Sequence, residues 1–193
     1  MMFVMRMFVA IEPSVDAVEH LDEFLAARRG AGPELRWSSP ARWHLTLAFM
    51  GAAPDRVVED VVERVGLAAD RTGPIELAVS GGGCFPDVTR AKVLWAGVAG
   101  APGSAEDLGR LARGVRSACA VAGAAPEGGA FVPHLTLGRF SWAQDATRWL
   151  RVLSTYAGPA WVASDVAVVA SHLPRERGHG PRHEVLARLP LGG

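Results

Sequence analysis

His44-Leu45-Thr46-Leu47 returns in the second half of the chain as His134-Leu135-Thr136-Leu137. In both copies polar and apolar residues alternate with a period of two, which predicts a β-strand. Successive side chains of a strand point to opposite faces, so the histidine and threonine of each copy share one face and the leucines share the other. A repeat of this kind is typical of duplicated structural units.

The sequence around each copy predicts a similar mixture of elements. Turn residues and hydrophobic periodicity predict strands and helices on both sides of the two tetrapeptides. The expected strands cover residues 6–12, 35–37, 44–51, 75–83, 91–98, the second copy, 161–171 and 183–189. The expected helices cover residues 14–29, 54–70, 105–121 with Ser104 at its cap, and 143–154, and residues 173–181 are expected to form an exposed loop.

This pattern predicts an α+β fold with antiparallel sheets. We expect two pseudo-symmetric lobes, each an antiparallel sheet with outer helices, and an active-site cleft between them. No Pro/Ser-rich linker separates the two halves. Residues 1–193 are therefore expected to form a single bilobal domain.

The composition is that of an ordinary globular chain. Of its 193 residues, 49% are hydrophobic and 21% charged, and the formal net charge is zero. A neutral chain has no general nucleic-acid signature, so any contact with RNA should be local and lie in a cleft. Cys84 and Cys119 occur in no metal or redox motif and are expected to be buried free thiols of a reducing compartment.

The N-terminal apolar stretch is short and is followed by Glu12-Pro13, without a small-residue cleavage pattern. No apolar run approaches the length of a membrane span. We therefore expect a cytoplasmic protein that does not associate with membranes. The sequence indicates no obligate protein partner and is interpreted as that of a monomer.

Two histidines, each with a hydroxyl on the same face, indicate acid–base chemistry. A neutral imidazole can accept a proton from water while a protonated one donates a proton to a leaving oxygen, with no covalent step. Thr46 and Thr136 can donate hydrogen bonds to non-bridging phosphate oxygens. Arg139 is a further candidate phosphate ligand, although its odd offset from His134 places it on the other face unless a bulge at Gly138 redirects it.

A metal site is the main competing interpretation of the histidines. Such a site needs a third ligand, and the sequence contains no HxH or HExxH pattern. We therefore predict no metal and no cofactor. His172, His179 and His183 lie in or beside the expected late loop and are predicted to face solvent.

A family resemblance is carried by the two tetrapeptides, by the longer stretch Pro133-His134-Leu135-Thr136-Leu137-Gly138-Arg139 and by Arg6-Met7-Phe8-Val9-Ala10-Ile11-Glu12-Pro13. These stretches resemble the two-histidine (2H) phosphoesterases. Within that superfamily the best match is the RNA 2′,3′-cyclic phosphodiesterase branch, historically labelled 2′-5′ RNA ligase. The doubled His-x-Thr-x motif is its specific mark. The resemblance covers essentially the whole chain, and one departure is that members often carry an aromatic residue, commonly Tyr, near the position of His183.

The resemblance implies hydrolysis of RNA 2′,3′-cyclic phosphate ends, or of cyclic nucleotides, to 2′-phosphomonoesters without a metal. It also implies that His44 is the proton donor and His134 the proton acceptor; the residues themselves do not assign these roles, because the two motifs are nearly identical. Two alternatives stay open: 2′-5′ RNA ligation through the same site, and a nucleotide- or RNA-end-binding module without turnover.

Overall fold

The computed structural model describes residues 4–30, 34–173 and 181–192. Within these ranges the strands are β1 (Val4–Ile11), β2 (Leu35–Trp37), β3 (Leu45–Pro54), β4 (Ile75–Phe85), β5 (Ala91–Gly100), β6 (His134–Gln144), β7 (Ala157–Ala163), β8 (Asp165–His172) and β9 (Arg182–Pro190). The α-helices are α1 (Val15–Arg29), α2 (Val58–Ala69), α3 (Ser104–Val121) and α4 (Thr147–Leu153). No described helix is long and apolar enough to cross a membrane.

All of these strands belong to one antiparallel sheet with the order β7-β4-β5-β6-β3-β1-β8-β9, and the short β2 pairs with β6. The predicted α+β fold with antiparallel strands is confirmed. The sheet has two halves of four strands, and the two tetrapeptide strands, β3 and β6, lie next to each other at its centre. The lobes are thus continuous, since Leu45 pairs with Leu135 where the two halves meet.

The main core lies on one side of this sheet, and a small second cluster, which includes Phe8, is buried apart from it. Leu45, Leu47, Leu135 and Leu137 are at most 1% exposed, as expected for one face of an amphipathic strand. Helix α1 packs against β7, α3 packs against β3, β4 and β5, and α2 packs against α3. Burial of the leucine face leaves the opposite face of β3 and β6 free to carry the polar residues.

The predicted strand over 161–171 is two strands. The chain leaves β7, an edge strand of one half, and enters β8 in the other half after only Ser164. The apolar pattern continues through this crossing, because β7 ends on Trp161, Val162 and Ala163 and most residues of β8 that follow are buried. Periodicity alone therefore does not reveal the break. This short connection curls the sheet and ties its two halves together.

Three predicted helix starts differ from the structure. Helix α2 begins at Val58 instead of residue 54, because β3 continues to Pro54 and a 3-10 turn follows. Gly103, not Ser104, is the N-cap of α3, and it has a φ of 93°. A left-handed φ costs glycine little and most other residues considerably more. Helix α4 begins at Thr147 instead of residue 143, because β6 continues to Gln144. Of the expected loop over 173–181, residues 174–180 lie outside the described residues.

Candidate active site

The junction of β3 and β6 brings the two His/Thr pairs together. Leu45 pairs with Leu135 and the strands are antiparallel, so the adjoining register positions place His44 opposite Thr136 and Thr46 opposite His134. All four side chains belong to the face of the sheet that is turned away from the leucine core. A pseudo-two-fold axis passes between the paired leucines.

Both imidazoles are oriented by the same local hydrogen bond. His44 Nδ1 lies 2.8 Å from the carbonyl oxygen of Arg42, and His134 Nδ1 lies 2.7 Å from the carbonyl oxygen of Val132. A carbonyl oxygen only accepts, so Nδ1–H is the donor in both rings. Nε2 is therefore the nitrogen that each ring has available for proton transfer.

Aromatic side chains pack against both rings. His44 stacks on Phe8 with ring centroids 4.5 Å apart and an interplanar angle of 14°. His134 meets the edge of Phe85 at 5.1 Å, and Trp95 lies 5.7 Å away. These apolar neighbours exclude water from part of each imidazole, and both histidines are half-buried.

The removal of water lowers the pKa of both histidines. Burial lowers the pKa of His44 from 6.5 to about 4, although the Arg42 carbonyl and the Glu12 carboxylate partly oppose the shift. Burial also lowers the pKa of His134, against the opposing effect of the Val132 carbonyl. Both rings are consequently neutral near pH 7 when no ligand is bound.

The depressed pKa of His44 predicts a loss of stability in mild acid. The unfolded chain binds this proton near pH 6.5 and the folded chain only near pH 4. The contribution of neutral His44 to the free energy of unfolding is therefore fully present above pH 6.5 and is lost as the pH falls toward 4. Between pH 8 and pH 5 the loss amounts to about 2 kcal/mol. Urea denaturation at the two pH values measures it.

His44→Asn is the matched variant, because asparagine does not titrate and its amide nitrogen takes the place of Nδ1, which contacts the Arg42 carbonyl. Between the same two pH values, we expect the free energy of unfolding to fall by about 2 kcal/mol less in this variant than in the wild-type chain. Equal losses in both proteins would show that His44 titrates normally in the folded state.

A β-bulge occurs at the same position of both motifs. Along β1, Val9 pairs with Ala48 and Ala10 with Thr46, so the register skips Leu47. Along β5, Leu94 pairs with Gly138 and Trp95 with Thr136, so the register skips Leu137. Each bulge shifts the alternation of side chains by one residue.

The shift directs the fifth residue after each histidine into the cleft. These residues are Phe49 in the first half and Arg139 in the second, and both line the cleft. Arg139 thus reaches the site, and the bulge that redirects it lies at Leu137, one residue before the expected position. In the first half, where Phe49 takes the place of an arginine, a positive charge comes from the neighbouring strand β1. The Arg6 guanidinium lies 5.3 Å from the centre of the Phe49 ring.

The cleft along this face has a volume of about 610 Å³. Four guanidinium groups and four hydroxyl groups line it, together with His44 and His183. The hydroxyls include those of Thr46 and Thr136. His134 adjoins this lining at the register position opposite Thr46. Such a surface offers many hydrogen-bond donors to an anionic ligand.

The prediction that His183 faces solvent is wrong. Its ring meets the edge of Phe8 at 5.0 Å and the edge of His44 at 5.6 Å. Burial, and then the charge of Arg42, lower its pKa. The error arose because the residue lies in β9, paired with Ser171 of β8, whereas the sequence placed it at the margin of a loop.

The other two late histidines are separate from this site. His172 Nε2 lies 2.8 Å from a carboxylate oxygen of Glu184, and His179 lies outside the described residues. Across residues 4–30, 34–173 and 181–192, no group of three His, Cys, Asp or Glu side chains is placed to hold a metal ion.

Sequence reasoning overlooked several residues of the cleft. Arg6 and Phe8 share the cleft face of β1 at a spacing of two, but the apolar residues that follow Phe8 occupy both faces of the strand and obscure this alternation. Arg36 comes from the three-residue strand β2, which is too short for its alternation to indicate a face.

Comparisons with known proteins agree with this geometry. A sequence model of the 2′-5′ RNA ligase superfamily matches residues 12–174. An RNA 2′,3′-cyclic phosphodiesterase of Geobacillus stearothermophilus is 27% identical over 96% of this chain, which spans only 57% of that protein's length. An RNA 2′,3′-cyclic phosphodiesterase of Aquifex aeolicus is 29% identical, with 82% of each protein covered.

Solved structures share the fold. TT0787 of Thermus thermophilus superposes with a TM-score of 0.77 at 25% identity, covering 98% of this chain and 99% of that one. E. coli LigT complexed with 3′-AMP superposes with a TM-score of 0.72 at 23% identity, covering 97% and 98% of the two chains. The sequence match and the doubled motif at the centre of the sheet together show that this chain belongs to the 2′-5′ RNA ligase superfamily of 2H phosphoesterases.

Proposed function

We propose that this chain hydrolyses RNA 2′,3′-cyclic phosphate ends to 2′-phosphomonoesters. The observation that carries the proposal is the pair of imidazoles, each with Nε2 available, beside two threonines at the centre of an arginine-lined cleft. Relatives named RNA 2′,3′-cyclic phosphodiesterase support the same substrate class.

The reaction is a displacement at phosphorus. A water oxygen forms a bond to phosphorus while the bond from phosphorus to the 3′ oxygen breaks. His134 Nε2 accepts the proton of the attacking water, and His44 Nε2–H donates a proton to the departing 3′ oxygen. The two rings lie on opposite sides of the pseudo-two-fold axis, as an in-line displacement requires of its acid and base. This division of roles follows the family resemblance.

The donor has to acquire its proton when substrate binds, because burial keeps the pKa of His44 near 4 in the free protein. An anionic phosphate next to Nε2 favours the charged imidazolium and raises that pKa. Two positive rings at this junction repel each other, so protonation of one keeps the other neutral. Besides the two Nδ1 protons, the complex therefore holds one proton at Nε2 of the histidine pair, which is the state that the reaction needs.

The remaining polar groups stabilise charge on the phosphoryl group. Thr46 and Thr136 donate hydrogen bonds to its non-bridging oxygens, and Arg139 offers a planar set of N–H donors to the same group. These three residues bind the substrate phosphate without taking part in proton transfer.

Ligation of RNA ends to form a 2′-5′ linkage is the same displacement with an RNA hydroxyl in place of water: its oxygen bonds to phosphorus while the bond from phosphorus to the 3′ oxygen breaks. The same residues therefore lower the barriers to ligation and to hydrolysis. Water is in large excess over an RNA hydroxyl, which favours hydrolysis. A pure binding module is the poorer explanation, since phosphate binding requires donors but not two ring nitrogens available for proton transfer.

We predict that the purified chain retains full activity in excess EDTA. The side chains of this site supply both proton transfers and the positive charge that stabilises the phosphoryl group, so the reaction does not require a divalent cation. The assay is conversion of an oligonucleotide with a 2′,3′-cyclic end to its 2′-phosphomonoester, identified by phosphorus NMR.

Loss of activity in EDTA, with recovery on adding a divalent ion, would contradict the acid–base mechanism. A 3′-phosphomonoester product would show that the bond to the 2′ oxygen breaks instead of the bond to the 3′ oxygen.

A further inference from the structure

The cleft carries more positive charge than one cyclic phosphate needs. Its lining includes Arg6, Arg36, Arg42 and Arg139 but no aspartate or glutamate. None of these arginines forms an ion pair with a carboxylate of the described residues. A cyclic phosphodiester has a single negative charge. The excess of cations therefore points to further negative charges on the ligand.

This excess is concentrated, because the chain as a whole has as many acidic as basic residues, 20 of each. With four arginines in the cleft lining, the rest of the molecule has four more acidic than basic residues. An acidic body with a basic cleft directs a polyanion into that cleft and repels it elsewhere.

Two of the four arginines face each other directly. Arg36 on β2 is the cross-strand partner of Arg139 on β6, and both side chains are exposed. Like charges at directly opposite positions destabilise a strand pair. Gly138 permits this close approach, since a Cβ there would lie 2.8 Å from the Arg36 carbonyl oxygen. Anions bound by the two guanidinium groups relieve the repulsion.

The strand positions of this arginine pair are displaced from the reacting phosphate, and the proposed function assigns only one of the two guanidinium groups, that of Arg139, to it. Arg139 lies three residues beyond Thr136 on β6, which corresponds to roughly 7–10 Å along the strand. Ser38 belongs to the same side of the cleft as Arg36 and Arg139. Its N–H donates to the Leu137 carbonyl at 2.8 Å, and its side chain also lines the cleft. An anion held by Arg36 is therefore a different group from the phosphate between the histidines.

We propose that Arg36, facing Arg139, binds the backbone phosphate that precedes the cyclic phosphate in an RNA strand. The proposal rests on the proposed function and refines its substrate: an oligonucleotide end is preferred over a cyclic mononucleotide. Arg139 reaches the reacting phosphate, and Arg36 selects for the additional one.

The test compares a nucleoside 2′,3′-cyclic phosphate with a dinucleotide that ends in the same cyclic phosphate. We expect Arg36→Gln to lower kcat/KM for the dinucleotide roughly tenfold, the effect of one hydrogen bond to a charged group, and to leave the mononucleotide within about twofold. The slope of log kcat/KM for the dinucleotide against log salt should also become shallower by about 0.7. Arg151→Gln is the matched control, because Arg151 is an exposed arginine of α4 outside the cleft.

Equal losses on both substrates would show that Arg36 serves the reacting phosphate, and no loss on either would show that it binds no phosphate. Both results overturn the proposal. A binding measurement separates it from the proposed function: a dinucleotide 3′-phosphate should bind more weakly to Arg36→Gln than to the wild-type chain, and a nucleoside 3′-phosphate should bind equally well. Unchanged dinucleotide binding refutes the proposal whether or not the chain has turnover.

Discussion

Replacing His44 or His134 by alanine is expected to lower the turnover of a 2′,3′-cyclic phosphate end roughly a hundredfold to ten-thousandfold. This is the range for the loss of a positioned general acid or base. The double variant should be little worse than the poorer single variant, because residues that act as a unit are strongly non-additive. Single-turnover rates at saturating enzyme measure these effects without interference from substrate affinity.

His20→Ala is the matched control, since His20 lies in α1 and its Nδ1 is 3.0 Å from the Tyr156 hydroxyl, away from the cleft. Its turnover should match that of the wild-type chain. Binding of a nucleoside 3′-phosphate should survive in both active-site variants, because the threonines and arginines remain. Normal turnover in both folded variants would remove the two-histidine mechanism and favour the binding module.

A substrate with an acidic leaving group assigns the two roles. When the departing oxygen needs no proton, the variant that lacks the general acid recovers most of its rate, whereas the variant that lacks the base does not. We expect recovery in His44→Ala. Recovery in His134→Ala instead would reverse the assignment of donor and acceptor.

Leu45→Ala is expected to be among the most destabilising substitutions in the chain. Leu45 is 0% exposed and pairs with Leu135, the point at which β3 and β6 join. Removing a buried leucine side chain costs about 3–5 kcal/mol, from lost transfer free energy and the cavity that remains. Urea denaturation, compared with the wild-type chain at pH 8, measures the change in unfolding free energy.

Leu67→Ala provides the comparison, because Leu67 in α2 is 57% exposed and its truncation should change stability by less than about 1 kcal/mol. Leu45→Ala should also lose activity well below its melting temperature, since the same junction fixes His44 relative to His134. A fully active Leu45→Ala variant would show that the sheet holds the histidines without this contact.

The repeat makes much of this molecule predictable from sequence. Alternation within the tetrapeptides identified two strands with a leucine face and a His/Thr face, and the structure shows the leucines of both copies buried. Helix α1 was predicted almost to the residue, because Ser14 caps it, Gly30 follows its last residue and its apolar residues recur with helical spacing. These features depend on short-range sequence patterns.

The rest depends on contacts between residues distant in sequence. His183 approaches His44 only because β9 and β1 both flank β8, and Arg36 faces Arg139 only because β2 pairs with β6. The low pKa of His44 follows from its packing on Phe8 and from burial. No local sequence pattern contains these pairings. A single sequence therefore predicts the catalytic residues of the site better than the residues that surround them.

The unequal residues at the two bulges give the cleft a direction. A perfectly two-fold site would accept a phosphodiester in either of two orientations, and these would exchange the attacking and departing oxygens. Phe49 on one side and Arg139 on the other remove that equivalence. An aromatic ring favours the flat face of a base, whereas a guanidinium favours a phosphate. Under the proposed function we therefore expect the RNA strand to bind with one preferred polarity, which determines which ester bond faces which histidine.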